Sequence, residues 1–223
     1  MNKILFVLTS HDKKGETGQK TGYYLSEVSH PYHVLKNSGL EIDFVSPKGG
    51  KPPVDGYNLE DKINNEFVND SKAQEKINNT KTPEEINPQD YKVIFFAGGH
   101  GTMWDFPDNS SLAKIAGEIY DNGGIVAAVC HGPAALINIK LSNGKYLVDG
   151  KNVSSFTNEE EEAAGLTNVV PFLLENKLKE RGAIHKKSGK FQEHTEVSER
   201  LVTGQNPASA TKVGEEIFIL LKK

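Results

Sequence analysis

The sequence predicts an α/β protein, a three-layer sandwich in which a mostly parallel β-sheet carries helices on both faces. One observation is that short apolar segments, typical of buried strands, alternate along the chain with longer segments of helical periodicity. Another is that 36% of the 223 residues are hydrophobic, enough for one core without disulfide or metal staples. A third is that the buried segment Ile125–Val129 runs straight into Cys130, which predicts a nucleophile elbow after a central strand.

The N-terminal half begins with a strand over residues 3–9, a dense apolar run with β-branched members. A polar, glycine-punctuated loop over 15–22 leads into a helix that ends at Gly39, and a second strand covers 41–46. Residues 47–90 are rich in Asn, Lys, Asp and Pro, with weak helical periodicity. We expect a surface insertion of short helices there, in part an irregular loop, within one domain spanning 1–223.

The C-terminal half resumes the alternation of strands and helices. We expect strands over 91–97, Ile125–Val129, 151–156 and 200–204, and helices over 110–122, from Gly132, over 170–181 and from Asn206. Asp108 or Asn109 is the expected N-cap of the helix over 110–122.

Composition excludes several classes of protein. The formal charge of −4 is spread along the chain, so no basic patch predicts nucleic acid as a partner and no polybasic segment predicts a membrane surface. The apolar N-terminal run is too short for a signal peptide or a spanning helix. A single cysteine allows no intrachain disulfide, so we expect a reducing, cytoplasmic location.

Cys130 is the expected nucleophile. A sharp turn between a buried strand and a helix lifts one side chain above the carboxyl ends of the sheet, and Gly132 supplies the small neighbour this turn requires. The positive end of the following helix is expected to favour thiolate over thiol. A lone cysteine is more often a small buried hydrophobe, but the elbow and the adjacent His131 favour a catalytic interpretation.

A second glycine turn, residues 97–102, ends the preceding predicted strand. Neighbouring strand ends form the crevice where ligands bind in open α/β sheets. The amides of Gly99 and His131 are therefore a candidate oxyanion hole. The turn has neither the Gly-x-Gly-x-x-Gly spacing of a dinucleotide site nor the Gly-Lys-Ser/Thr of a P-loop.

Four segments together resemble the DJ-1/PfpI superfamily. They are residues 27–32 (EVSHPY), 97–102 (AGGHGT), 127–133 (AAVCHGP) and 201–209 (LVTGQNPAS). More narrowly, they resemble its heat-shock-chaperone branch, the glutathione-independent glyoxalase III enzymes. The resemblance covers nearly the whole chain in order, and it implies a flavodoxin-like fold and a homodimer.

The resemblance also implies roles for particular residues. Cys130 would be the nucleophile and His131 the triad histidine. Glu161 fits the triad acid that follows a Phe-Thr turn, although a shift of one residue within the run of four glutamates would select Glu160 or Glu162. Glu27, on the first helix, fits an acid that hydrogen-bonds the cysteine.

The same resemblance extends to ligands. Gly98 and His100 would contact the substrate, a small 2-oxoaldehyde, and no cofactor is implied. The histidines of the chain have no tight ligand spacing, so we expect no metal.

The implied activity is conversion of methylglyoxal to D-lactate through a Cys130 hemithioacetal, without glutathione. Several alternatives stay open: a holdase chaperone, a redox sensor, a protein deglycase, a cysteine peptidase or a class I glutamine amidotransferase. The last uses a C-terminal His-x-Glu pair, which His194 and Glu196 match in spacing.

Overall fold

The computed structural model describes residues 3–223, so Met1 and Asn2 of the predicted domain lie outside it. In chain order, the strands are β1 Lys3–Val7, β2 Tyr23–Tyr24, β3 Glu41–Val45, β4 Val54–Asp55, β5 Tyr91–Phe96, β6 Ile125–Val129, β7 Asn152–Val153, β8 Ile184–His185, β9 Thr195–Ser198 and β10 Leu201–Gly204. The α-helices are α1 Leu25–Leu35, α2 Lys62–Asn69, α3 Ser71–Ile77, α4 Thr102–Asp105, α5 Ser110–Asp121, α6 Asn158–Ala163, α7 Leu174–Glu180 and α8 Ala210–Leu221. Short 3₁₀ helices cover Lys36–Ser38, Pro83–Glu85, Pro88–Asp90, Gly132–Asn138 and Pro207–Ser209.

The central sheet has six strands in the order β3-β1-β5-β6-β10-β9, and only the β9–β10 pair is antiparallel. This confirms the predicted mostly parallel sheet of an α/β protein. Its five parallel strands have the order of a flavodoxin-like fold, in which ligands bind outside the carboxyl ends of the strands. The turns after β5 and β6 therefore lie side by side at one edge of the sheet.

Two apolar cores lie on the two faces of this sheet. Phe6 and Phe95 pack with α1 and α8 on one face, while Leu5 and Ile94 pack with α5 on the other. Alternate residues of each strand point to opposite faces, so strands buried on both sides are apolar throughout. Within the described residues, no helix is long and apolar enough to cross a bilayer.

The segment predicted as an insertion contains β4, α2, α3 and two 3₁₀ helices. Phe67 and Ile77 bury its apolar side in the core that α1 lines. Its last residues return to the sheet, where Lys81 exchanges backbone hydrogen bonds with Phe44 and Ser46 beside β3. The weak helical periodicity seen in the sequence belongs to α2 and α3.

Several predicted elements differ from the structure. The segment after Cys130 is a 3₁₀ helix rather than an α-helix, because its first residue, Gly132, is packed against the Phe96 carbonyl and the chain is already extended at Ile139. The helix predicted over 170–181 begins only at Leu174, since Pro171 disfavours helical backbone in the residue before it. The strand predicted over 151–156 shortens to β7, which pairs with β8 outside the main sheet.

Two further differences concern the C-terminus. Strand β9 was not predicted because its sequence is polar, Thr-Glu-Val-Ser, as suits an exposed edge. The final helix begins with a 3₁₀ turn at Pro207, where the Asn206 side chain accepts from the Ala208 amide, and α8 follows from Ala210.

The sequence offered two residues as the N-cap of α5. Asn109 is the one whose side chain accepts a hydrogen bond, from the Leu112 amide at 2.9 Å.

Candidate active site

Cys130 lies on a strained turn directly after β6. Its φ of 60° is in the left-handed region, which is costly for a residue with a Cβ and typical of a nucleophile elbow. Neighbouring segments hold the turn on both sides: the Cys130 amide donates to the Gly204 carbonyl at 2.9 Å, and its carbonyl accepts from the Phe156 amide at 2.8 Å. The elbow is thus fixed from β10 and from the chain after β7.

Glycine is required at two positions where backbones meet around the elbow. A Cβ on Gly132 would lie 2.2 Å from the Phe96 carbonyl oxygen. A Cβ on Gly98 would lie 2.3 Å from Glu27 Oε2 and 2.9 Å from the His131 amide nitrogen. Gly98 therefore lies against both the Glu27 carboxyl group and the elbow. This is the residue for which the resemblance implied contact with the substrate.

Cys130, His131 and Glu161 form a continuous chain of contacts. Cys130 Sγ lies 3.3 Å from His131 Nδ1, and His131 Nε2 lies 2.8 Å from Glu161 Oε2. Burial, and then the nearby His100, lower the pKa of His131 to about 4. Burial opposes ionisation of Glu161, but the hydrogen bonds from His100 and His131 outweigh it and lower that pKa to about 2. At neutral pH a neutral His131 therefore donates through Nε2–H to an ionised Glu161, leaving Nδ1 free to accept the thiol proton.

His100 shares the same carboxylate. Its Nε2 lies 2.9 Å from Glu161 Oε1, and its ring centroid lies 4.1 Å from that of His131. With 16% of its side chain exposed, His100 is the most open of these three side chains. This bond could not be expected from sequence patterns, because 61 residues separate the two partners.

The structure distinguishes the glutamates that the sequence left as alternatives. Only Glu161 reaches His131. Glu160 is fully buried and forms a capping box with Thr157, and it also accepts from the side chains of Gln205 and Asn206. Glu162 is exposed. A capping box directs the third helical residue back toward the helix start, which leaves the next residue to face the imidazole.

Glu27 and Cys130 are buried side by side. Burial raises the pKa of Glu27 to about 8, and the proximity of Cys130 and the Gly98 amide opposes this rise. Neither carboxyl oxygen of Glu27 is at hydrogen-bond geometry with another atom of residues 3–223. Burial also raises the pKa of the Cys130 thiol, and charge on Glu27 raises it further. The His131 amide lowers the thiol pKa, as expected of a helix start, but burial and Glu27 oppose it more strongly. The expectation that the helix start favours the thiolate stays a prediction.

The two amides expected to form an oxyanion hole lie on the neighbouring turns. Neither the Gly99 nor the His131 amide donates to a backbone carbonyl of residues 3–223. Thr102 Oγ1 lies 3.0 Å from the Gly99 carbonyl and 2.9 Å from the His131 carbonyl, so it ties the two turns together. Gly99 has a φ of 103°, and a Cβ on it would lie 2.1 Å from the Gly22 carbonyl oxygen, so there is no room for a side chain.

The His-x-Glu pair considered for an amidotransferase lies elsewhere. His194 Nε2 contacts Glu196 Oε1 at 2.9 Å and its Nδ1 contacts the Ser188 hydroxyl at 3.1 Å. Cys130 is paired with His131 instead. Glu196 lies on the edge strand β9 and His194 immediately precedes that strand, and alternate residues of an extended chain share a face.

Sequence reasoning missed two aromatic neighbours of the site. Phe156 lies with its ring centroid 4.3 Å from that of His131, and its place before Thr157 was the available signal. The other is Tyr24, whose amide donates to the Gly98 carbonyl at 3.1 Å. Burial raises the pKa of the Tyr24 hydroxyl, and charge on the nearby Glu27 and Cys130 raises it further.

One group of side chains has the composition of a metal site. Within residues 3–223, ligand-type atoms of His100, His131 and Glu161 all lie within 4.8 Å of one another. Each of these atoms is already at hydrogen-bond distance from another member of the group. The expectation of no metal stays a prediction.

Known proteins with similar sequences and structures agree with the resemblance seen in the motifs. Residues 20–219 match the model of the DJ-1/PfpI family. The glutathione-independent glyoxalase HSP31 of Saccharomyces cerevisiae is 38% identical over 221 residues, which cover 93% of each chain. The crystal structure of glyoxalase III from Candida albicans has a TM-score of 0.89 at 33% identity, covering 98% of this chain and 96% of that one. The rapid encystment protein REP24 of Francisella tularensis has a TM-score of 0.95 at 41% identity, covering 99% of both.

Proposed function

Because this chain belongs to the DJ-1/PfpI family, we propose that it is a glutathione-independent glyoxalase that converts methylglyoxal to D-lactate on Cys130. The observation that carries the proposal is the row of contacts from thiol to carboxylate. Cys130 Sγ lies 3.3 Å from His131 Nδ1, and His131 Nε2 lies 2.8 Å from Glu161 Oε2. Glu27 is buried against the sulfur. This is the set of groups needed to activate a thiol and to move protons beside it.

The first step forms the hemithioacetal. His131 Nδ1 takes the Cys130 proton as the sulfur attacks the aldehyde carbon C1 of methylglyoxal. A protonated Glu27 assists, because loss of its negative charge removes one of the causes that hold the thiol pKa high. The oxygen that develops negative charge is stabilised by the amides of Gly99 and His131, and it then takes up the proton.

The second step is an internal redox transfer within the substrate. His131, neutral again after the first step, removes the proton from C1, and the same proton or a solvent proton is delivered to C2. Protonated Glu27 relays the remaining proton, giving its own to the C2 oxygen and accepting the hydroxyl proton from the C1 oxygen. The aldehyde carbon is thereby oxidised to a thioester while the ketone carbon is reduced to an alcohol. Water then attacks the thioester, releases D-lactate and restores the thiol.

Each part of this chemistry comes from the chain itself. Electrons lost by C1 are gained by C2, so the reaction balances without a redox cofactor. Cys130 supplies the thiol that glutathione would otherwise provide. Gly98 and His100 border the thiol and the carboxylate, and we propose that they contact the bound 2-oxoaldehyde.

Holdase activity is a second candidate function, favoured by an exposed apolar stretch in the insertion. Val54, Tyr57 and Leu59 are 40, 57 and 39% exposed, within six residues of one another. Exposed apolar groups close together are a common basis for binding unfolded chains. Suppression of aggregation of a heated client protein should survive Cys130→Ser and be weakened by Tyr57→Ser with Leu59→Ser.

The glyoxalase proposal is tested by product formation. Purified protein is incubated with methylglyoxal without glutathione, and D-lactate is measured with a D-lactate-specific dehydrogenase. We expect one D-lactate for each methylglyoxal consumed, and none from Cys130→Ser. Folded wild-type protein that forms no D-lactate would overturn the proposal and shift the assignment to the holdase, the redox sensor or a peptidase.

We further propose that the protein works as a homodimer in the cytoplasm, with no nucleic-acid or membrane partner. The family resemblance supports the homodimer, while the mixed charge along the chain and the single cysteine support the location and the absence of those partners. Sedimentation equilibrium measures the oligomeric state directly.

A further inference from the structure

Phe191 is an exposed aromatic residue in a strained backbone conformation. Its φ is 59°, and among the non-glycine residues of 3–223 only Cys130 and Glu199 share a positive φ. Cys130 is the elbow, and Glu199 forms the turn between β9 and β10. Phe191 lies in neither setting, yet 52% of it is exposed to solvent. A strained backbone persists only where the surrounding structure enforces it.

Buried polar side chains enforce the conformation of this loop from beneath. The Phe191 amide donates to Glu160 Oε1 at 2.7 Å. Gln205 and Asn206 donate to the same oxygen, and they also donate to the carbonyls of Gly189 and Gln192 at 3.2 and 2.7 Å. Glu160, Gln205 and Asn206 are fully buried, so the loop rests on a rigid polar base.

This base is continuous with the catalytic groups. Glu160 immediately precedes Glu161 on α6, so one short helix holds both the Phe191 loop and the carboxylate that orients His131. The position of Phe191 relative to the imidazole is therefore set by one rigid element.

The Phe191 ring ends a row of aromatic rings that starts at the catalytic histidine. The His131 and Phe156 centroids are 4.3 Å apart, and those of Phe156 and Phe191 are 6.2 Å apart. Phe156 is 6% exposed, so the row runs from the buried imidazole to the surface. Phe156 also meets the ring of His100 edge-on at 5.8 Å, on the more open side of the triad.

Folding alone does not account for a phenylalanine here. Glycine would adopt this φ without strain, and a ring that is half exposed contributes little to the core. Strained residues cluster at active sites and at places that hold ligands, and this strained apolar ring lies in a row with His131.

We propose that Phe191 is a specificity-determining residue at the rim of the active site, where its ring contacts the C2 substituent of 2-oxoaldehydes larger than methylglyoxal. The inference rests on the proposed glyoxalase function. The enzyme is accordingly expected to prefer 2-oxoaldehydes with an aromatic or bulky apolar substituent. That substituent would lie along the rings of Phe156 and Phe191 while C1 bonds to the thiol.

The test is the ratio of kcat/KM for phenylglyoxal to kcat/KM for methylglyoxal, measured without glutathione. Phe191→Ala should lower this ratio by about ten-fold or more, which is the size of effect expected from removing a large apolar contact. Phe191→Gly should lower it equally, and since glycine suits the positive φ, this variant guards against misfolding. Ile184→Ala, which truncates an apolar residue of similar exposure (48%), should leave the ratio unchanged.

Two results would overturn the inference in distinguishable ways. If both Phe191 variants lower kcat/KM for the two substrates equally, or for neither, then the ring makes no contact that depends on the substituent. If the wild type converts neither 2-oxoaldehyde, the proposed function itself fails and this inference fails with it.

Discussion

The thiol of Cys130 and the carboxyl group of Glu27 lie together in a site that excludes water, and two negative charges cannot be accommodated there at once. Burial raises the pKa of Glu27 to about 8, so at neutral pH this carboxyl group is protonated. A buried carboxylic acid that keeps its proton can donate to the sulfur, but it lowers the stability of the folded state, because the unfolded chain releases that proton readily.

Replacement of Glu27 by glutamine should therefore stabilise the protein while removing its activity. The unfolded carboxyl group titrates near 4.5 and the folded one near 8, so rising pH favours the unfolded wild type throughout that window. Glutamine does not titrate, and the stability gap between variant and wild type should widen by about 3 kcal/mol from pH 4 to pH 7. Urea unfolding at several pH values measures the gap, and a gap independent of pH would show that Glu27 is ionised in the folded protein.

The pH dependence of kcat/KM should be bell-shaped. His131 must be neutral to accept the thiol proton, so activity is lost as the pH falls through about 4. Glu27 must be protonated to assist the sulfur, so activity is lost again as the pH rises through about 8. Initial rates from about pH 3 to about pH 10 test both limbs. An acid limb near the ordinary histidine pKa of 6.5 would contradict the buried, neutral His131.

Replacing each of the adjacent residues Glu161 and Glu162 of α6 by glutamine should have very different effects on kcat. Glu161→Gln removes the charge that orients His131, and we expect kcat to fall by about 10²–10⁴ with the fold intact. Glu162→Gln is the matched control, since Glu162 is exposed, and its kcat should equal that of the wild type. Equal losses in both variants would remove Glu161 from the triad.

At the scale of elements, the elbow depends on the close approach of β5 to the segment after β6. Gly132→Ala places a methyl group 2.2 Å from the Phe96 carbonyl, so the turn must move. We expect a loss of about 1–3 kcal/mol in the free energy of unfolding and a marked fall in kcat. Gly144→Ala meets no atom within 4 Å and should retain kcat, losing stability only through its positive φ. Normal turnover by Gly132→Ala would show that the elbow tolerates displacement.

Elements buried on both faces of the sheet were predictable, and polar or short ones were not. β1, β5 and β6 are apolar because helices cover both faces, so composition alone identifies them. β9 is a polar edge strand, and its pairing with β10 depends on a turn at Glu199 that has no glycine. The 3₁₀ form of Gly132–Asn138 follows from tertiary contacts that sequence periodicity does not report.

The site residues divide in the same way. Cys130 and His131 could be recognised from the sequence because the elbow is a local feature of one strand and one turn. The bond between His100 and Glu161 joins two turns 61 residues apart, and only the packed sheet brings them together. The role of Glu160 as a structural acceptor was hidden because its four donors come from three separate segments.

For the whole molecule, the strand order explains why the candidate site lies at one edge of the sheet. Parallel strands β1, β5, β6 and β10 end at the same edge, so the turns that follow β5 and β6 meet there. Helix α1 packs on one face of the sheet and carries Glu27, while α6 carries Glu161, which contacts His131. The thiol lies against Glu27 and the His131 imidazole and is only 4% exposed.

In the proposed reaction, the sulfur of Cys130 itself carries the substrate in place of glutathione. The most direct test is to quench wild-type protein in acid during turnover of methylglyoxal and to locate the covalent adduct by mass spectrometry of its peptides. We expect a lactoyl thioester or hemithioacetal on the peptide that contains Cys130, and no such adduct in Cys130→Ser. Sustained D-lactate formation with Cys130 unmodified, or by Cys130→Ser, would contradict the account.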